Sequence, residues 1–174
     1  MGWRIFHRTG LAFCCRSRLS SNVRPHKTRH RRTGAPVKIT VSTVAAAPLH
    51  EVWRAYTTPE DIKTWNTASP DWHTIAASVD LRPGGKFSSR MEAKDGSFGF
   101  DFAGEYTKVV HLQLIEYAFG DRVGIVAFEE GTSGVIVTVT FDSESTHSED
   151  QQRTGWQAIL DSFSRHVEGK LASQ

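Results

Sequence analysis

The most regular hydrophobic pattern in the chain lies near its C-terminal end, in residues 148–171. Large apolar residues recur there at intervals of three and four, which places them on one side of an α-helix. They are Trp156, Ile159, Leu160, Phe163, Val167 and Leu171. Ser148 and Gln151 predict a capping box at the start of this helix. We therefore expect a long amphipathic helix, about 34 Å in length, that packs against a broad apolar surface.

The pattern upstream of this helix changes from strand to helix and back to strand. Alternating apolar and polar residues in 36–43 predict a half-buried strand, and Pro48 and Pro59 each mark the first turn of a short helix. From Thr74 onward the period is two, with turns such as Asp95-Gly96 between the apolar runs. Six strands are expected, at about residues 75–81, 87–92, 98–106, 112–119, 123–128 and 135–141. In the first of them, Ile75, Ala77, Val79 and Leu81 are expected to share a face.

This order of elements predicts an α+β fold. A curved antiparallel β-sheet is expected to carry two short helices, with the one long C-terminal helix packed across it. We expect residues 36–174 to form this domain. Because a curved sheet and a single helix seldom meet along their whole length, a ligand-sized cavity is expected between them.

The distribution of charge separates the first residues from the rest. Of the 174 residues, 39% are hydrophobic, which suffices for one core. Residues 1–36 contain nine Lys or Arg and no Asp or Glu, whereas the remainder has 12 basic and 19 acidic residues, a net charge of −7. We expect residues 1–35 to be a disordered basic tail.

Several readings of this tail remain open. Its Arg-rich, acid-free composition is typical of a mitochondrial transit peptide, which would direct the protein to the mitochondrial matrix, but it also fits a start codon assigned too far upstream. A nucleic-acid-binding arm at residues 24–32 is disfavoured, and no specific nucleic-acid contact is expected. A zinc site from Cys14, Cys15, His26 and His30 is disfavoured because the two cysteines are adjacent. Without cysteines in the folded part and without an apolar run of ~20 residues, a cytoplasmic protein with no membrane span is expected.

Several segments in this order resemble a known family. They are residues 52–60 (VWRAYTTPE), Trp65, residues 80–87 (DLRPGGKF), Asp95-Gly96, residues 104–106 (GEY) and residues 154–156 (TGW). The chain is similar to bacterial proteins related to the C-terminal domain of the activator of heat-shock protein 90 ATPase, within the START-related, Bet v 1-like (SRPBCC) helix-grip superfamily. The resemblance spans about residues 36–171. It implies the helix-grip fold and binding of a hydrophobic small molecule or of a chaperone, and it carries over no catalytic residues.

Candidate catalytic and metal-binding patterns are incomplete. His50-Glu51 begins a zincin motif, but Arg54 stands where the second His is required. Asp161, Ser162 and His166 contain the residue types of a triad, but they lie off the apolar stripe of the helix and no oxyanion hole accompanies them. The strand charges Arg90, Glu92, Asp101 and Glu105 alternate with apolar residues and are expected to face solvent. We therefore predict no catalytic residues, no metal and no cofactor.

The sequence thus favours non-enzymatic binding of a lipid or of an aromatic polyketide or flavonoid-like molecule. The expected ligand-binding residues are Trp72, Phe87, Met91, Phe100, Tyr117, Phe128, Trp156, Ile159 and Phe163. Trp72 is expected in a loop that borders the opening of the cavity. One alternative is a co-chaperone-like module that modulates a heat-shock protein 90 ATPase through its outer surface. The other is a cyclase or hydrolase that uses the same cavity; in each case a monomer or homodimer is expected.

Overall fold

The computed structural model describes residues 36–173, and the predictions made for residues 1–35 lie outside them. A strand β1 (Lys38–Ala45) is followed by two short helices, α1 (Leu49–Thr57) and α2 (Pro59–Trp65). Six strands come next: β2 (Trp72–Val79), β3 (Lys86–Ala93), β4 (Gly99–Val110), β5 (Leu114–Phe119), β6 (Arg122–Gly131) and β7 (Gly134–Asp142). The long helix α3 (Glu149–Leu171) follows β7. The predicted α+β order is confirmed.

All seven strands form one antiparallel sheet that curls into a half-barrel. The strand order is β1-β7-β6-β5-β4-β3-β2, so β1 and β2 are the two edges. Consecutive strands from β2 to β7 pair as hairpins, and β1 pairs with β7 from Lys38↔Asp142 to Ala45↔Val135. Helices α1 and α2 connect the two edges of the sheet. The inward faces of β1 and β7 are almost fully buried, as at Ile39, Val137 and Phe141, which are each 0% exposed.

Helix α3 packs across the sheet and is fixed to its β1 edge. The predicted capping box is present, because the Ser148 hydroxyl accepts from the Gln151 backbone N–H at 3.2 Å. Arg153 donates to the Thr40 carbonyl at 2.7 Å, and Gln157 donates to the Ser42 carbonyl at 2.9 Å. These carbonyls belong to an edge strand, so the two side chains satisfy acceptors that would otherwise have only water.

Strand β2 differs from its prediction because its pairing with β3 is irregular. The register shifts between Thr74 and Ala76, which is the signature of a β-bulge. Thr74 is buried, and Ile75, expected to share a face with Ala77 and Val79, is 50% exposed whereas those two are half-buried. Trp72 lies in the first position of β2 and is 8% exposed, so its placement in a loop was wrong.

Candidate functional site

A cavity of about 120 Å³ lies between the concave face of the sheet and the N-terminal half of α3. Helices α1 and α2 close one side of it. Its walls are mainly aromatic and aliphatic. They are formed by Tyr56, Ile62, Trp65, Asn66, Ser78, Val79, Phe87, Ser89, Met91, Phe100, Phe102, Tyr106, Ile115, Tyr117, Val139, Gly155, Trp156, Ile159 and Leu160.

Six of the nine residues predicted to bind a ligand line this cavity. They are Phe87, Met91, Phe100, Tyr117, Trp156 and Ile159. Strand alternation brings the first four inward from β3, β4 and β5, and the helical period brings the last two over them from α3. Contact between these side chains and a ligand stays a prediction.

The other three predicted residues lie outside the cavity. Phe128 is covered by α1, with its ring centroid 5.1 Å from that of Trp53. Phe163 is 0% exposed and packs edge-on against Trp65 at 5.1 Å, which removes it from the void. Trp72 packs against Phe100 at 5.8 Å and is buried by it. Each of these three side chains therefore packs against a neighbouring ring, and none of them is among the residues that line the void.

The two short helices contribute a part of the wall that the sequence did not assign. Tyr56 of α1 stacks on Trp65 of α2 with centroids 5.2 Å apart, and the Trp65 indole N–H donates to the Ala55 carbonyl at 2.9 Å. These contacts hold both rings beside Ile62 at the cavity. The apolar spacing of α1 and α2 indicated burial, but a burial signal does not distinguish a core contact from a cavity wall.

Two glycines shape the sheet wall by making room for aromatic rings. Gly124 lies opposite Tyr117 in the β5–β6 ladder, and a Cβ atom placed there would come within 2.5 Å of the Tyr117 ring. Gly104 lies opposite Phe87 in the β3–β4 ladder, and its Cβ would come within 2.8 Å of the Phe87 ring. Both rings therefore lean over a glycine on the neighbouring strand. This arrangement keeps space open above the sheet.

The cavity opens between the β2 edge and α3. Ser78 on β2 is exposed and Val79 beside it is half-buried. Across from them, Gly155, Trp156 and Ile159 of α3 are also half-buried, whereas Leu160 is 2% exposed. The mouth thus lies on the side of the helix that faces away from its anchors on β1.

None of the residues that line the cavity is an Asp, Glu, Lys, Arg or His. The strand charges face outward as predicted: Arg90 donates to Glu92 at 2.8 Å and lies 3.5 Å from Asp101, whose side chain is 63% exposed. The wall carries neutral polar groups instead, among them the Tyr56 and Tyr106 hydroxyls. Loss of hydration on burial raises the pKa of both hydroxyls above the ordinary value of 10. Both therefore remain protonated at neutral pH.

The other candidate motifs assemble into structural contacts. The His166 ring contacts Asp61 of α2 at 2.8 Å, so it pairs with a carboxylate outside the set of Asp161, Ser162 and His166 that the sequence pattern disfavours as a triad. Glu51 of the incomplete zincin motif pairs with Arg54 on the same helix. Within residues 36–173, no group of three or more His, Cys, Asp or Glu side chains is placed to hold a metal ion. No helix in that same range combines the length and the apolar character that a membrane crossing requires.

Comparisons with known proteins agree with this geometry. The sequence profile of the family described as Activator of Hsp90 ATPase homolog 1-like protein matches residues 46–168. Comparison with curated proteins gives no match. An AHSA1-like protein from Aeromonas hydrophila, solved in solution, is 41% identical with a TM-score of 0.73, over 77% of this chain and 94% of that one.

Two further solved structures are similar. A protein from Cytophaga hutchinsonii is 41% identical with a TM-score of 0.66, over 79% of this chain and 96% of that one. A protein from Nitrosomonas europaea is 22% identical with a TM-score of 0.70, over 80% of this chain and 99% of that one, and it shares the fold. The fold, a seven-stranded half-barrel crossed by α3, and the family match both indicate the same protein family. The chain belongs to the family of Activator of Hsp90 ATPase homolog 1-like proteins.

Proposed function

We propose that this protein binds an apolar small molecule, a lipid or an aromatic polyketide or flavonoid-like compound, in the cavity beneath α3. The cavity itself is the observation that carries the proposal. The cavity is mainly apolar and is open to solvent at its mouth. An apolar ligand that fills it removes this wall and its own apolar surface from water. Removal of apolar surface from water is the dominant favourable contribution to such binding.

The chemistry of the wall supports binding rather than catalysis. A cyclase or hydrolase needs a group that moves a proton or attacks the substrate. The lining residues include tyrosines but no Asp, Glu, Lys, Arg or His. The pKa of Tyr56 and Tyr106 is raised, so these two hydroxyls stay protonated at neutral pH and cannot accept a proton from a substrate. They remain suited to hydrogen bonding with a ligand.

The proposal is tested by titrating the isotope-labelled protein with neutral aromatic and lipid compounds while backbone and side-chain shifts are followed by NMR. Resonances of Met91, Tyr117 and Trp156 should move together. Ile159→Trp places a larger side chain at the mouth and should abolish the shifts, because Ile159 is a half-buried lining residue. Arg165→Trp adds the same side chain at an exposed position of α3 and should leave binding unchanged. The proposal fails if no compound moves these resonances, or if both variants behave alike.

The family description favours a second candidate, a module that binds a heat-shock protein 90 and alters its ATP turnover. This activity would use the outer surface and would not need the cavity. It predicts that the purified protein co-precipitates with the chaperone and that Ile159→Trp leaves that interaction intact. No co-precipitation together with unchanged ATP turnover would dispose of this candidate.

A further inference from the structure

Two neutral polar side chains lie in the otherwise largely apolar cavity wall. Asn66 is 8% exposed and Ser89 is 6% exposed, and both line the void. Neither side chain forms a hydrogen bond with another residue in the range 36–173, and the polar atoms of both are open to the void. Water can satisfy these groups in the free protein. Their donors and acceptors are therefore available to a polar atom of a molecule that occupies the cavity.

The two groups border the same region of the wall. The Thr74 hydroxyl donates to the Asn66 backbone carbonyl at 2.6 Å, which fixes Asn66 above the start of β2. Thr74 pairs with Met91 in the β2–β3 ladder. Met91 and Ser89 lie two positions apart on the same face of β3, a rise of about 7 Å. The end of α2 and strand β3 thus each contribute one neutral polar group to the cavity wall.

The electrostatics of the wall restrict the charge of that ligand. No Lys, Arg or His is among the lining residues, so a carboxylate or phosphate inside the cavity would have no counter-charge. Burial of an unpaired ion is strongly unfavourable. Neutral hydroxyl and carbonyl groups remain. The Asn66 amide can donate to or accept from either, and the Ser89 hydroxyl can do the same.

The volume of the cavity restricts the size of the enclosed part. A cavity of roughly 150 Å³ lined by apolar side chains holds one benzene ring. The cavity here, about 120 Å³, therefore encloses about one ring, and a larger molecule extends through the mouth beside Ser78 and Val79.

We propose, on the basis of the function above, that the cavity selects uncharged aromatic molecules that carry a hydroxyl or carbonyl group, and that Asn66 and Ser89 bind this group. The same wall excludes a carboxylate or phosphate group from the enclosed part of the cavity.

The test compares naphthalene, 2-naphthol and 2-naphthoate by NMR titration at neutral pH. The native protein should bind 2-naphthol at least about tenfold more tightly than 2-naphthoate, because a carboxylate finds no counter-charge beside Asn66 and Ser89 whereas a hydroxyl needs none. Ser89→Ala and Asn66→Leu should each weaken 2-naphthol binding about three- to tenfold, the contribution of one hydrogen bond. Both variants should retain the affinity for naphthalene, which has no group for them to bind.

Ser88→Ala is the matched control. Ser88 neighbours Ser89 on the opposite face of β3, where its hydroxyl lies 3.2 Å from that of Ser78. It should bind all three probes as the native protein does. Equal affinity for 2-naphthol and 2-naphthoate, or a loss in Ser89→Ala that is the same for naphthalene and 2-naphthol, overturns this inference and leaves binding of apolar molecules in place. Failure of all three probes to bind overturns this inference, and it overturns the proposed function as well if the lipid compounds of the earlier titration also fail to bind.

Discussion

Replacement of Asp61 by asparagine should destabilise the protein by about 1.5–3 kcal/mol at neutral pH. The side chain is 5% exposed, and its Oδ1 atom accepts from the Lys170 ammonium at 2.6 Å and contacts the His166 ring at 2.8 Å. We call these three residues the α2–α3 clamp. Loss of one partner of a fully buried ion pair costs about 3–5 kcal/mol. The Lys170 side chain is 38% exposed, so its ammonium group can be hydrated when the carboxylate is removed. The expected loss is therefore about 1.5–3 kcal/mol and not the about 3–5 kcal/mol of a fully buried pair.

The contribution of the clamp depends on pH through Asp61. Burial by itself raises the pKa of this carboxyl group, but the hydrogen bonds from Lys170 and His166 outweigh burial and hold the pKa below its ordinary value of 3.8. A carboxylate whose pKa is lower in the folded state stabilises the fold above the unfolded-state pKa. That stability is lost as the pH falls from about 4 through the folded-state pKa. The variant does not titrate at this position, so its difference from the native protein should shrink in the same window.

The measurement is urea unfolding followed by tryptophan fluorescence and far-UV circular dichroism, in steps from neutral pH to about pH 3. Asp101→Asn serves as the control, because that carboxylate is 63% exposed and lies 3.5 Å from Arg90. It should leave the free energy of unfolding nearly unchanged. A loss below about 0.5 kcal/mol for Asp61→Asn at neutral pH, or a loss that stays constant between about pH 5 and pH 3, would refute the reasoning.

Two further substitutions test the cavity wall and the start of α3. Gly124→Ala should lower the free energy of unfolding by about 1–3 kcal/mol and push the Tyr117 ring into the cavity, which lowers ligand affinity. Gly169→Ala, whose added methyl group meets open space on α3, should instead raise the free energy of unfolding by up to about 1 kcal/mol. Equal shifts in melting temperature for the two variants would contradict this account. Gln152, 1% exposed, makes three hydrogen bonds with the backbone of the loop before α3, so Gln152→Leu should cost about 2–4 kcal/mol in chemical denaturation. Gln151→Ala at the exposed capping position should cost about 1 kcal/mol or less, and a ranking in the reverse order would count against the role given to Gln152.

The elements of the fold were predictable because their signals are local. The period of three and four in α3 and the period of two in the strands each follow from backbone geometry within a few residues. The Ser148 capping box is likewise a contact between residues three apart. The glycine turns behave in the same way: Gly96 and Gly120 have φ angles of 69° and 65°, in the left-handed region that other residues seldom adopt. Such signals do not depend on the rest of the molecule.

Features set by partners distant in sequence were not predictable in this way. Ile75 fits an alternating strand, and only the pairing of β2 with β3 reveals the bulge that turns it outward. Asp61 and His166 are 105 positions apart, so the clamp cannot be recognised from either neighbourhood. The residues that line the cavity also depend on contacts distant in sequence. Strand alternation predicts that Phe128 and Met91 both face inward, but Trp53 of α1 packs on Phe128 whereas Met91 lines the void.

The two halves of α3 have different roles, although one apolar stripe runs through both. In the C-terminal half, Phe163 and Val167 are buried to 0% and 2% exposure, and the clamp attaches this half to α2. In the N-terminal half, Trp156 and Ile159 are only half-buried above the void. The polar anchors of this half reach β1, so the side toward β2 is left open. Stability and ligand access are therefore determined at separate places on the same helix. It follows that Asp61→Asn should lower the free energy of unfolding without changing ligand affinity. Ile159→Trp should abolish ligand binding and leave the free energy of unfolding nearly unchanged.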